Sequence, residues 1–108
     1  MKQTKLVLAM TALLSLVVPT LMAGTAEDAS ALFKSKCAMC HGPDGSGDTT
    51  MGKKFAIRDL RSAEVQKQSD EQLLKIITKG KNKMPVYEGK IPAESMKSLV
   101  TVIRSFKK

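Results

Sequence analysis

The chain has 108 residues, 43% of them hydrophobic but only 4% aromatic, with no tryptophan. One small domain of this composition has few large side chains to fill its middle, which excludes a self-sufficient core and calls for a staple, metal or cofactor. Lysine and arginine number 18 against 10 acidic residues, a formal charge of +8, which suits anionic partners and association that weakens with salt; the lysines are dispersed, which argues against nucleic acid.

The first stretch reads as a leader. Lys2 and Lys5 precede an apolar run, Leu6 to Val18, broken only by Thr11 and Ser15; Pro19 and small residues at Ala23, Gly24, Thr25 and Ala26 follow. This is the layout of a secretory signal peptide cut after Ala23 or Ala26. The run is shorter than the roughly 20 residues of a spanning helix, and the alternative is a retained anchor. Residues 1–26 are therefore assigned to the signal and 27–108 to the domain.

Asp28 to Lys36 reads as a helix, with Leu32 and Phe33 as its buried face and Asp28 or Ser30 as N-cap. It runs into Cys37-Ala38-Met39-Cys40-His41. Cys-x-x-Cys-His is a site for covalent attachment of c-type haem. Two thiols at this spacing reach two vinyl groups on one haem edge, and the histidine that follows is held under the iron. Cys37 and Cys40 are the only cysteines and His41 the only histidine. A disulfide between Cys37 and Cys40 would close a very short loop and contribute little stability.

Gly42 to Asp48 carries the glycines and Pro43 of a loop. Met51 to Gln68 is poorly periodic and reads as a loop with a short helical turn near Ser62 to Lys67. Ile57 and Leu60 are either lining for the cofactor or ordinary core. Ser69 and Gln72 form a capping box, opening a helix from Asp70 to about Lys79 with Leu73, Ile76 and Ile77 buried and Gly80 as its stop. Met84 follows in a polar loop, stiffened by Pro85. A thioether there is a soft ligand suited to haem iron opposite an imidazole. Met39, between the cysteines, cannot reach the other haem face, and Met96 falls on a helical stripe. Met51, also read as a loop residue, is the rival to Met84. Pro92, at the first helical position, opens a closing helix to about Phe106, with Met96, Leu99, Val100 and Ile103 at i, i+3, i+4 and i+7.

With these residues in place, the chain resembles the small monohaem class I cytochromes c of bacterial periplasms. The resemblance covers essentially all of the domain. It rests on Phe33, the Cys37-to-Gly42 site, the helix from Asp70 to Gly80, Met84-Pro85 with Tyr87 after it, and the closing helix over Leu99 to Ser105. It implies an all-α, cytochrome c-like fold of three to four helices wrapped around one covalently bound haem c, with the first and last helices crossing. It also implies that Cys37 and Cys40 carry the thioethers, His41 is the proximal ligand and Met84 the distal one. Two departures fall at that crossing, Ala29 where many members have glycine and Val102 where many have an aromatic.

The expectation is a periplasmic, non-enzymatic carrier of single electrons between redox proteins with acidic docking surfaces, touching membranes only through membrane-bound partners or an uncleaved signal. Lys36, Lys53, Lys54, Lys81 and Lys83 either ring the haem edge or are solvated charges. Three rivals stand beside it. One is a haem protein with an open iron that binds gases or peroxide. Another is a thiol–disulfide oxidoreductase using Cys37 and Cys40. The third is an electron-input subunit of one enzyme. The polypeptide is expected to be largely unfolded without haem.

Overall fold

The computed structural model describes residues 12–17 and 26–108. Most of the expected signal, Lys2, Lys5 and Ala23 included, lies outside the described residues. Residues 12–17 have no regular secondary structure, and Leu13, Leu14, Leu16 and Val17 are exposed. Among the described residues, no helix is long and apolar enough to cross a membrane.

Six helices and no strand make up the described fold: α1 (Ala26–Lys36), α2 (Ala38–His41), α3 (Thr50–Lys54), α4 (Ala63–Gln66), α5 (Asp70–Lys79) and α6 (Ala93–Ser105). The three long ones are those the sequence pattern predicts. α5 begins and ends where expected, because its signals are local. The Ser69 side chain accepts from the Gln72 amide, the Gln72 side chain accepts from the Ser69 amide, and Gly80 ends the helix at φ 73°. α6 starts one residue later than expected. Pro92 is its N-cap, at ψ 143°, outside the first helical position, and its carbonyl accepts the Met96 amide at 3.0 Å.

α1 packs across α6, and α5 packs beside it. Ala29 and Phe33 from α1 join Met96, Leu99, Val100, Val102 and Ile103 from α6 in one buried cluster. Ala29 is 4% exposed and Val102 8%, so neither departure from the family pattern opens the crossing. Phe106 supplies the aromatic instead. Its ring lies 5.1 Å from that of Phe33 and against Gly45, where an added Cβ would meet it at 2.7 Å. Met96 is core, as its helical spacing implies.

The segment from Met51 to Gln68 is more ordered than expected. α4 is the predicted turn, but α3 puts Met51 on a helix and not in a loop. The reason is a cap: the Thr49 hydroxyl accepts from the Gly52 amide at 2.8 Å. Gln66 then fastens this segment to α6, donating to the carbonyls of Leu60 (2.8 Å) and Ile103 (2.9 Å). Arg104 returns from α6 to the carbonyls of Gln66 and Gln68 and to the Asp70 carboxylate.

Candidate haem site

Cys37 sits at a break between α1 and α2. Its amide still donates to the Phe33 carbonyl (2.8 Å), and its own carbonyl accepts the His41 amide (2.9 Å). The sequence suggests one helix delivering both cysteines; the structure uses two, joined at Cys37. Both thiols are free and half-buried. Before any bond to haem forms, burial and then the neighbouring Cys40 push the Cys37 thiol up to about 11.

His41 ends α2. Burial holds its imidazole below the usual histidine range, which favours the neutral form that ligates metal. Phe33 backs the ring, with centroids 6.4 Å apart. Among the described residues, His41 Nδ1 is the buried side-chain nitrogen without a hydrogen-bond partner.

The loop after the motif wraps back on it through backbone contacts. Gly42 turns the chain at φ 79°. The Gly47 amide donates to the His41 carbonyl at 2.7 Å, and the Leu60 amide to the Gly45 carbonyl at 2.8 Å. Thr49 closes the turn, its hydroxyl donating to the Cys40 carbonyl at 3.0 Å. The carbonyls of Cys37, Cys40 and His41 are all hydrogen-bonded, so the motif is held by its neighbours as well as by its own helix. Leu60 is in the core cluster, whereas Ile57 is only half-buried.

Met84 lies in a tight turn that folds back on the end of α5. The Met84 amide donates to the Lys81 carbonyl (2.9 Å), and the Lys81 amide donates to the Met84 carbonyl (3.3 Å). Asn82 makes this possible at φ 54°. Gly80 is needed for its space: a Cβ there would stand 2.6 Å from the Met84 carbonyl oxygen. Met84 is half-buried and packs on the core, as does Tyr87. The Tyr87 hydroxyl donates to the Lys36 carbonyl at 3.3 Å. This joins the Met84 loop to the residue immediately before Cys37. Lys36, Lys53, Lys54, Lys81 and Lys83 are all exposed; Lys53 pairs with Asp48 at 3.0 Å, and Lys54 lies over the Phe55 ring.

The donor set suits a haem bound by two thioethers and axial ligands: two thiols on a constrained turn, a neutral imidazole, and a methionine loop fastened to the same motif. Thr49, Gly52 and the Tyr87 hydroxyl are the contributors that sequence patterns do not single out. Thr49 preceding a run with glycine three residues on carries only a weak capping signal.

A family model described as cytochrome c oxidase, cbb3-type, subunit III matches residues 24–102, and the chain belongs to this family of c-type cytochrome domains. Among solved structures, the c-type cytochrome KustC0563 is 36% identical, with a TM-score of 0.69, covering 74% of this chain and 98% of that one. A tyrosine-to-phenylalanine mutant of Kustc0563 is 38% identical, with a TM-score of 0.67, covering 74% and 99%. Comparison with curated proteins gave no match. The fold is thus that of a c-type cytochrome, and the domain carries covalently bound haem c, with iron, and serves electron transfer with redox partners.

Proposed function

We propose that this chain is a periplasmic one-electron carrier in which Cys37 and Cys40 hold the haem by thioethers and His41 and Met84 are its axial ligands. The observation that carries this reading is the fastening of the Met84 loop to Lys36, next to the haem motif, by Tyr87. When bound, haem supplies a one-electron Fe(III)/Fe(II) couple. Cys37 and Cys40, fixed by the hydrogen-bonded turn, set where the ring lies. His41 would bind the iron through its imidazole, which burial keeps neutral. The Met84 sulfur, a weak donor, favours the reduced state and raises the potential relative to two histidines. If His41 and Met84 both hold the iron, no position would be left on it for oxygen or substrate, which favours a carrier over an enzyme.

Export is supported by the layout of Lys2, Lys5 and the apolar run to Val18. The exposed lysines suit acidic docking surfaces and brief encounters with small interfaces. The family description, an oxidase subunit, favours one further reading: an electron-input subunit with the same chemistry and a fixed partner. Purification of the exported protein distinguishes the two, as a free monohaem protein or in stable complex with an oxidase.

Met84→Ala in the holoprotein tests the ligation. The expected result is a lowered reduction potential, loss of the iron–sulfur charge-transfer band and ready binding of carbon monoxide by the ferrous form. Values unchanged from the parent would remove Met84 from the site.

A further inference from the structure

The loop carrying Met84 is fastened unequally along its length. At its start the Lys81–Met84 turn folds back on Gly80. At its end the Glu88 amide donates to the Thr78 carbonyl at 3.1 Å, and the Glu88 carboxylate pairs with Lys79. The Tyr87 carbonyl accepts the amides of Lys90 (2.9 Å) and Ile91 (3.0 Å), and Ile91 is buried. All these bonds tie the loop to itself, to α5 or to the start of α6. The Tyr87 hydroxyl reaches elsewhere, to the Lys36 carbonyl.

From this asymmetry we infer that the Tyr87 hydroxyl is a positioning group: its bond to the Lys36 carbonyl is a strap that holds the Met84 loop closed against the haem motif and sets how often Met84 leaves the iron. The inference rests on the reading of Met84 as an axial ligand. The packed Tyr87 ring and the hydroxyl are separable, because the ring joins the core cluster while the oxygen bonds backbone on another element. At 3.3 Å the bond is long for a hydroxyl donor, so the strap is weak enough to open without unfolding the domain.

The test compares parent, Tyr87→Phe, Tyr87→Leu and Met84→Ala holoproteins, with carbon monoxide binding to the ferrous form and amide hydrogen exchange as readouts. In Tyr87→Phe the rate of carbon monoxide binding rises roughly twofold to threefold, the population change expected for a hydrogen bond at the weak end of the usual range. Amide exchange rises by a similar factor at Met84 and stays unchanged in α6. A Tyr87→Phe protein that behaves as the parent, with only Tyr87→Leu accelerated, overturns the inference and gives the role to the ring. Equal acceleration of α6 exchange also overturns it, since the hydroxyl would then stabilise the whole domain. Failure of Tyr87→Phe to assemble with haem would place the hydroxyl in assembly and overturn it as well. A parent that binds carbon monoxide as readily as Met84→Ala marks failure of the ligation reading itself, and the strap falls with it.

Discussion

Gly52 lies so close to the haem motif that a methyl group on its Cα would stand 2.5 Å from the Cys40 carbonyl oxygen and 2.1 Å from that of Gly47. Both obstacles are backbone, so no side chain can swing aside. The close approach lets α3 back directly onto the turn that carries the second cysteine, and Thr49 bonds the two together.

Gly52→Ala is therefore expected to destabilise the holoprotein by about 3 kcal/mol, the upper range for overpacking, and to lower the yield of covalently attached haem. Thr49→Val, which removes a cap and a bond to the Cys40 carbonyl, is expected to cost about 1–2 kcal/mol. Denaturant unfolding of the two holoproteins checks the order. A Gly52→Ala protein as stable as the parent would show that α3 moves away from the motif at no cost.

The ease of reading this chain divides by range. α5 is legible to the residue because Ser69, Gln72 and Gly80 act within one turn of its ends. The Cys37-to-His41 motif is legible because its chemistry needs five consecutive residues. α3 is not legible: a helix over Thr50–Lys54 contains a glycine and lacks an apolar stripe, and what holds it is the Thr49 cap together with the fit of Gly52 against Cys40. For the same reason Met51, expected in a loop, lies on a helix. Tyr87 draws notice in the sequence only as an aromatic after Met84-Pro85; its bond to Lys36 spans 51 residues and leaves no local trace. Leu60 joins the buried cluster, a burial its sequence context does not fix.

Arg104 gathers three acceptors from the α4–α5 connection with one planar fork: the carbonyls of Gln66 and Gln68 and the carboxylate of Asp70. A lysine carries the same charge on a single nitrogen and lacks the planar fork that spreads donors from three nitrogens over these acceptors. Arg104→Lys is expected to lose about 1–2 kcal/mol, measured as a lowered melting temperature, while the haem spectrum stays parental. An unchanged melting temperature would mean that charge alone, and not the fork, accounts for the contribution.

Asp59 gives the domain an acid-dependent element. The Arg61 guanidinium bonds both carboxylate oxygens at 2.9 Å, and the Arg61 amide adds a third bond. These hold the carboxyl at about 2, below its ordinary 3.8. The folded state thus favours the charged form. Its contribution is complete above the unfolded value and is lost as pH falls through about 2. Asp59→Asn should flatten the stability profile between these two values and leave its slope near neutrality unchanged. Carboxyl titration of Asp59 by NMR with a midpoint at 3.8 would contradict the assignment.

The crossing of α1 on α6 sets when the molecule can become a molecule at all. Ala29 and Phe33 sit just ahead of the cysteines, but the surfaces that cover them, Leu99 to Ile103 and Phe106, come much later in the chain. Contacts between such distant parts of a chain form late and slowly. A product cut short before Ala93 would keep Cys37, Cys40, His41 and Met84 and have nothing to close over α1.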